Sequence, residues 1–251
     1  MTNTTNAYDL VIMDIDGCLI PETPDSFDTE SLVEIFRYQR NALANKDRPK
    51  LTVCTGRPQP FAESICRLLG NSDVPCVAEN GVWLFHPGTN GYMIDPNISV
   101  DDRKAVAEAQ HELIRRFGPL GFTIQPGKAA SVSLYHPERE NLLAAVPEVR
   151  KIAEDEGWPF RISTTVCYIN CDLIHVSKAT GIDRLLEKYP VPKSRLAGIG
   201  DTAGDRYIAD HCAFFACPAN ADEEIRKRAD YISPYPEAKG VIDILERLKG
   251  G

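Results

Sequence analysis

The stretch "VIMDIDGCLI", residues 11–20, places two carboxylates, Asp14 and Asp16, directly after an apolar run. That run is short and continuously apolar, which is typical of a buried strand in a parallel sheet. Carboxylates at the end of such a strand are costly to bury unless a cation meets them. Gly17 follows at once and permits a tight turn away from the strand. The stretch therefore predicts a buried strand that carries two aspartates to a cation-binding edge.

Strand and helix patterns alternate on both sides of a central segment. After the first strand come an amphipathic helix, the strand "KLTVCTG", a second helix and the strand "VPCVAENG". The alternation resumes near residue 174 with a helix, the strand "RLAGIGD", a short helix, the strand "AFFAC" and two terminal helices. Short joints between such elements are typical of an α/β fold with a doubly wound parallel sheet. We therefore expect the two flanking parts to build one sheet.

The central segment follows a different pattern. The stretch "VWLFHPGTNGYMI" predicts a hairpin with a Gly-rich turn, and the residues after it predict helix, strand, strand, helix, strand, strand. Hairpins imply antiparallel pairing, unlike the flanking parts. The sequence thus predicts an inserted α+β domain (αββαββ) at residues 95–173, between a first core part at 1–94 and a second core part at 174–251.

Composition argues against two classes of partner, nucleic acids and membranes. The net charge is −8 and the Lys and Arg residues are scattered, which argues against nucleic acid as a partner. Because no run of about 18 uncharged apolar residues occurs, we expect no membrane partner. The polar start lacks a signal-peptide pattern, so the expected location is cytoplasmic. The eight cysteines lie largely in apolar runs and are expected to be buried free thiols rather than zinc ligands.

The predicted topology brings distant polar residues to one edge of the sheet. In a doubly wound sheet, ligands bind beyond the carboxyl ends of the strands. Four carboxylates gathered there repel one another unless a cation binds, and oxygen ligands of this kind suit Mg²⁺. Six side chains are expected at this edge, although they lie far apart in sequence: Asp14, Asp16, Thr55, Lys178, Asp201 and Asp205.

This set suits phosphoryl transfer. Lys178 adds a positive charge and Thr55 a hydroxyl donor, both of which suit a phosphoryl group. Asp14 can act as a nucleophile that forms an acyl phosphate, and Asp16 can serve as general acid and base. Taken singly, each residue also has a structural explanation: Thr55 as a turn residue, Lys178 as a solvated helix residue, and Asp201 as a helix N-cap. Their joint occurrence in the order of one topology favours the functional interpretation.

Four ordered motifs resemble those of the haloacid dehalogenase superfamily of aspartate-nucleophile phosphatases. "DIDGCL" resembles the first motif, D-x-D-G-[T/V]-L, with Cys18 in the usual Thr place. "TGR" at residues 55–57, Lys178 in "VSKATGI" and "GIGDTAGD" at 198–205 resemble the second, third and fourth. "ENG" and the inserted domain resemble the branch with a large cap after the third core strand, which includes Cof-type hydrolases and sugar-phosphate phosphatases. The resemblance covers nearly the whole chain.

The resemblance implies a role for each matching residue. Asp14 would be the nucleophile and a Mg²⁺ ligand, and Asp16 would be the general acid and base and would offer its backbone carbonyl to the metal. Asp201 would bind Mg²⁺, and Asp205 would support it directly or through water. Gly204 stands where most relatives have Asn, which leaves one polar support of the fourth motif unassigned.

Substrate contacts are implied less sharply. Thr55, Gly56 and Lys178 would contact the phosphoryl group, while Arg57 would contact the substrate or cap the next helix. Polar groups on the inserted domain are further candidates: Lys128, Tyr135, His136 and Arg161.

The resulting expectation is a Mg²⁺-dependent hydrolase of small phosphate monoesters, in particular sugar phosphates, that works through an aspartyl phosphate. A phosphomutase or phosphotransferase and a catalytically idle binding protein on the same scaffold are the alternatives. The expected partner is a small phosphorylated metabolite, and the sequence carries no indication of the oligomeric state.

Overall fold

A computed structural model describes residues 7–249 of the chain. Along these residues the strands are β1 (Leu10–Met13), β2 (Lys50–Val53), β3 (Cys76–Ala78), β4 (Trp83–His86), β5 (Gly91–Ile94), β6 (Thr123–Ile124), β7 (Ser131–Tyr135), β8 (Phe160–Thr164), β9 (Tyr168–Leu173), β10 (Leu196–Ile199), β11 (Phe214–Cys217) and β12 (Tyr231–Ile232). The α-helices are α1 (Thr29–Asn45), α2 (Gln59–Leu69), α3 (Val100–Phe117), α4 (Arg139–Asp155), α5 (Lys178–Lys188), α6 (Arg206–His211), α7 (Glu223–Arg226) and α8 (Glu237–Arg247).

The core is a parallel sheet with strand order β12-β11-β10-β1-β2. β1 lies between β10 and β2 and pairs in parallel with both, so strands from the two flanking parts of the chain meet in one sheet. β3 adjoins β2 through a single parallel bridge between Cys54 and Val77, and then turns back to pair antiparallel with β4, which pairs with β5. The predicted α/β class with a doubly wound parallel sheet is confirmed.

Both faces of the core sheet are buried. Val11 and Met13 of β1 belong to one apolar cluster with α1, α2 and α8. Leu10 and Ile12 belong to a second cluster with α5, α6 and α7 on the opposite face. Since successive strand residues point to opposite faces, helices on both sides explain why β1 is apolar throughout.

The edge strand β12 is not predicted by the sequence pattern. β12 lies in the connection between the two terminal helices, where Tyr231 and Ile232 pair in parallel with Ala216 and Cys217 of β11. Two residues are too few to show a periodic pattern, so this edge strand is specified by its neighbour and not by its own sequence.

The inserted segment forms an antiparallel sheet with strand order β6-β7-β9-β8. The elements follow the predicted order α3, β6, β7, α4, β8, β9, and α4 continues through Pro147 without a break. α3 and α4 pack on one face of this sheet around a separate apolar cluster. The predicted α+β insertion is therefore present, while its boundaries at residues 95 and 173 stay a prediction.

All eight cysteines are buried free thiols. Within residues 7–249, no helix combines the length and apolar character needed to cross a bilayer.

Candidate active site

An ion network lies at the carboxyl ends of β1 and β10. Lys178, the first residue of α5, places its Nζ 2.9 Å from Asp14 Oδ2 and 2.7 Å from Asp205 Oδ1. The side chains of all three residues are buried. The other carboxylate oxygen of Asp205, Oδ2, is also hydrogen-bonded. It accepts the backbone N–H groups of Asp201, at 2.9 Å, and Thr202, at 3.1 Å. The network thus holds Asp14 through Oδ2, while its Oδ1 accepts the backbone N–H of Ile15 at 2.8 Å.

Three carboxylates form a cluster that suits a metal ion. Asp14, Asp201 and Asp205 each offer an oxygen, and these oxygens lie within 4.8 Å of one another. Asp201 Oδ1 is buried and has no hydrogen-bond partner among residues 7–249. An unpartnered buried carboxylate oxygen beside two further carboxylates calls for a cation, and an all-oxygen set suits Mg²⁺. The residues present therefore fit the metal that the sequence suggested.

The electrostatics of the cluster agree with this assignment. Burial, followed by the charge of Asp205, raises the pKa of Asp14 to about 8. Burial, with the charges of Asp205 and Asp14, raises the pKa of Asp201 to about 10. Lys178 lowers both pKa values but does not offset the other effects. One lysine is thus too little positive charge for this group of carboxylates.

Gly17 is required by both its conformation and its surroundings. Its φ of +68° lies in the left-handed region that favours glycine. A Cβ at this position would lie 1.8 Å from Asp201 Oδ2. The glycine of the first motif therefore lets the turn after β1 approach the carboxylate that follows β10.

Asp16 lies outside the carboxylate cluster and pairs with Arg57. Arg57 Nε donates to both carboxylate oxygens of Asp16, each at 2.9 Å. The guanidinium also lies over the ring of Phe61, 5.0 Å from its centroid. The N-cap of α2 is Pro58, so Arg57 does not cap that helix, and a contact between Arg57 and the substrate stays a prediction.

Thr55 occupies a more enclosed position than the sequence suggested. The residue is fully buried, and its hydroxyl oxygen accepts the backbone N–H of Arg57 at 3.0 Å. Of the described residues in this turn, Gly56 and Arg57 line the adjoining cavity and Thr55 does not. A direct contact between Thr55 and a phosphoryl group stays a prediction.

A cavity of about 380 Å³ opens above this edge of the core sheet. Its core side includes Asp14, Asp16, Lys178, Asp201 and Gly204. A Cβ at Gly204 would meet only Thr202 Oγ1, at 3.4 Å, so the position where most relatives have Asn is uncrowded. Both the volume and the mixed polar lining are typical of a small-molecule site.

The opposite wall of the cavity is the polar face of the inserted sheet. Because side chains alternate along a strand, the face that points away from α3 and α4 is free to carry polar residues. Residues of the inserted domain that line the cavity include Gln125, Lys128, Arg139, Arg161, Ser163, Tyr168, Asn170 and Asp172.

Two of the four candidates on this domain lie elsewhere. Lys128 and Arg161 line the cavity as expected. His136 is buried in the inserted domain, 4.6 Å from the Phe122 ring between centroids, and its Nδ1 lies 3.0 Å from the backbone N of Glu138. Tyr135 packs against Tyr168, with ring centroids 5.4 Å apart, and is not among the described residues that line the cavity. His136 follows the last residue of β7, where strand alternation no longer predicts its direction.

A contact between core and inserted domain was missed. Glu79, in the turn after β3, accepts the backbone N–H groups of Ala129 at 2.9 Å and Ala130 at 2.8 Å, and the hydroxyl of Ser131 at 2.9 Å. Asn80 donates to Asp172 Oδ2 at 3.1 Å. The "ENG" triplet was the only signal in the sequence, and it gave no indication of these partners, which lie about 50 or more residues away.

Comparison with known proteins agrees with the resemblance carried by the four motifs. A family model described as haloacid dehalogenase-like hydrolase matches residues 162–245. The phosphoglycolate phosphatase of Methanospirillum hungatei is 25% identical over 241 residues, which cover 94% of each chain. The phosphoglycolate phosphatase of Methanopyrus kandleri is 26% identical over 245 residues, covering 95% of this chain and 96% of that one. A solved structure from Thermoplasma acidophilum has a TM-score of 0.75 at 20% identity, covering 97% of this chain and 99% of that one.

The structure combines a doubly wound core, an inserted α+β domain and a carboxylate cluster at the edge of the core sheet. The match of residues 162–245 to the haloacid dehalogenase-like hydrolase model agrees with the resemblance that the four motifs indicated. Relatives that match this chain over most of its length are named phosphatases, which agrees with the enzyme class predicted from the sequence.

Proposed function

We propose that the chain is a Mg²⁺-dependent hydrolase of small phosphate monoesters that works through an aspartyl phosphate on Asp14. One observation carries the proposal: Asp14 lies at the base of a cavity, paired with Lys178 Nζ at 2.9 Å and grouped with Asp201 and Asp205. A nucleophilic carboxylate beside a fixed cation and a group of metal-type ligands is what phosphoryl transfer to an aspartate requires.

The metal ligands would come from two segments, the turn after β1 and the turn after β10. Asp14 and Asp201 would bind Mg²⁺ through their side chains, and Asp16 would contribute its backbone carbonyl. Asp205 would support the site directly or through water while holding Lys178. Bound Mg²⁺ supplies positive charge that offsets the negative charge of the phosphoryl oxygens.

The chain's own residues account for two chemical steps. In the first, a carboxylate oxygen of Asp14 bonds to phosphorus as the bond to the leaving oxygen breaks, and Asp16 donates a proton to that oxygen. In the second, Asp16 takes a proton from water, and the resulting hydroxide attacks phosphorus to release phosphate and free Asp14. Lys178 offsets negative charge in both steps, and Arg57, which pairs with Asp16 and lines the cavity, would also contact a phosphoryl oxygen.

Phosphoglycolate is the first substrate to test. Relatives that carry the name phosphoglycolate phosphatase match this chain over most of its length, at 25% and 26% identity. Sugar phosphates, which the motif resemblance implied, are the second class to test. A cavity of about 380 Å³ has room for a small metabolite of either kind.

The test is release of inorganic phosphate with Mg²⁺ present, for the parent and for Asp14→Asn. We expect the variant to lose nearly all activity, because an amide cannot act as the nucleophile. Asp155→Asn, at the exposed end of α4, is the matched control and should keep full activity. If Asp14→Asn keeps more than about a tenth of the rate, a loss of only ~1.4 kcal/mol, Asp14 is not the nucleophile. Transfer of phosphate to a second hydroxyl without release would indicate a phosphotransferase instead.

A further inference from the structure

We propose that Lys128 forms a second anion-binding subsite in the same cavity, one that takes a carboxylate or similar anionic group at the end of the substrate remote from the phosphoryl group. The inference rests on the proposed function, because it assigns a second contact to the same substrate. The expected substrates are short phosphate monoesters that carry a negatively charged group in addition to the phosphoryl group.

Charge is unevenly distributed over the two walls of the cavity. Among the described residues of the inserted domain that line it, the charged ones are Lys128, Arg139, Arg161 and Asp172. This wall therefore carries three cations and one carboxylate. The core wall carries the carboxylates proposed to bind the metal, including Asp14 and Asp201. One end of a substrate that spans the cavity would lie at the proposed metal site, and the other end would lie against the cationic wall. This wall favours a second anionic group at that far end of the substrate.

Lys128 makes one hydrogen bond within the described residues, although its side chain lies close to several carboxylates. Its Nζ donates to Ser133 Oγ at 2.6 Å and makes no direct ion pair with a residue in the range 7–249. Arg161 also makes one hydrogen bond, to a backbone carbonyl at 3.2 Å, whereas Arg139 is exposed and donates to two carbonyls. Burial lowers the pKa of Lys128, although nearby carboxylates, led by Asp172, oppose that effect. An ammonium that has lost water and gained one hydroxyl partner has donors left for an anionic ligand.

The position of Lys128 relative to the catalytic residues is held by Glu79. The Glu79 carboxylate accepts the N–H groups of Ala129 and Ala130, the two residues that follow Lys128. The backbone N–H of Glu79 in turn donates to the carbonyl of Arg57 at 2.9 Å, in the turn that lines the core wall. A short run of hydrogen bonds therefore connects the segment that carries Lys128 to the turn beside Asp16. Such fixed spacing is what a two-point contact with one small substrate requires.

A matched pair of substrates isolates the second charge. Phosphoglycolate carries a carboxylate, and 2-hydroxyethyl phosphate replaces it with a neutral alcohol on a chain of the same length. We expect the parent to have the higher kcat/KM for phosphoglycolate. Lys128→Gln, which keeps a donor for Ser133, should lower that kcat/KM by about ten- to a hundredfold, as expected for loss of a hydrogen bond to a charged group, with the change mainly in KM. Its kcat/KM for 2-hydroxyethyl phosphate should change by less than about threefold.

Three further variants complete the experiment. Lys128→Arg should restore part of the preference for phosphoglycolate, since it keeps the charge. Lys128→Met replaces Lys128→Gln if the latter does not fold. Lys104→Met is the control for loss of a lysine, because Lys104 lies on α3 with 73% of its side chain exposed.

The outcomes separate this inference from the proposed function. Equal losses on both substrates, or no loss on phosphoglycolate, would overturn the subsite at Lys128. A parent enzyme that hydrolyses both substrates equally well would also overturn it and leave the phosphatase assignment intact. A parent enzyme that hydrolyses neither these substrates nor sugar phosphates would overturn the proposed function and this inference together.

Discussion

Arg57 Nε lies 2.9 Å from each carboxylate oxygen of Asp16, so that a side chain from the turn after β2 holds one from the turn after β1. The Asp16 side chain is not part of the cluster of Asp14, Asp201 and Asp205. Both members line the cavity, and both are partly exposed to it. The proposed acid and base is thus positioned by an arginine that is itself available to the substrate.

Removal of that arginine should reduce catalysis. Arg57→Ala is expected to lower kcat/KM for phosphate release by about tenfold or more, because Asp16 loses a bidentate charged partner. Arg57→Lys should recover only part of the loss, since an ammonium cannot reproduce the planar pair of donors. Steady-state kinetics on all variants would measure the loss. Arg67→Ala is the control, because the Arg67 side chain is 53% exposed and pairs with Glu63 on the surface of α2. Unchanged kinetics for Arg57→Ala would show that the pair has no part in the reaction.

Cys18 should be dispensable for the chemistry. Burial, with the charges of Asp201 and Asp14, raises the pKa of the Cys18 thiol well above its usual range, so the thiol stays protonated and is a poor nucleophile. Cys18→Thr restores the residue usual in this motif and should keep substantial phosphate release, with Cys18→Ser as the smaller polar control. Loss of activity in a Cys18→Thr protein that remains folded, as judged by circular dichroism, would contradict this expectation.

Mg²⁺ should stabilise the fold. The ion binds the folded carboxylate cluster and not the unfolded chain, so at about a hundredfold excess over its Kd the gain would be ~2.7 kcal/mol. Asp201→Asn removes one ligand and one repelling charge together. Without metal, this variant should melt at or above the parent, and its Tm should respond less to Mg²⁺. A variant that melts well below the parent without metal, and still responds fully to Mg²⁺ in thermal scans, would make Asp201 a structural residue.

The metal-free protein should lose stability as pH rises. In the folded state the pKa values of Asp14 and Asp201 are raised to about 8 and about 10, from the usual 3.8. Above pH 3.8 the unfolded chain therefore binds fewer protons than the folded protein, and the free energy of unfolding falls until the pH passes the raised pKa values.

Urea unfolding with a chelator present, at about pH 5 and about pH 8, would measure this difference in stability. Asp201→Asn should show a smaller loss than the parent between the two pH values, because one of the two raised carboxyl groups is gone. Saturating Mg²⁺ should also reduce the loss. An identical pH dependence in parent and variant would show that Asp201 does not contribute to it.

Local sequence patterns determined most of the framework. The apolar run before Asp14, the alternation of strands and helices, and the change to hairpin patterns within the inserted segment each depend on residues close together in the chain. They were sufficient to predict the parallel core and the αββαββ insertion. The predicted topology then placed Asp14, Lys178, Asp201 and Asp205 at one edge of the sheet, because parallel strands bring their carboxyl ends together whatever their separation in sequence.

Only the tertiary structure decided how side chains from distant segments meet. Asp16 pairs with Arg57, Glu79 binds the backbone beyond Lys128, and His136 packs in the inserted domain away from the cavity. β12 forms by pairing with the free edge of β11. None of these contacts leaves a periodic signature, since each depends on the direction of a side chain or a free strand edge in the assembled fold. A sequence pattern determines which face or strand end a residue occupies, whereas packing between segments far apart in the chain determines which partner it meets there.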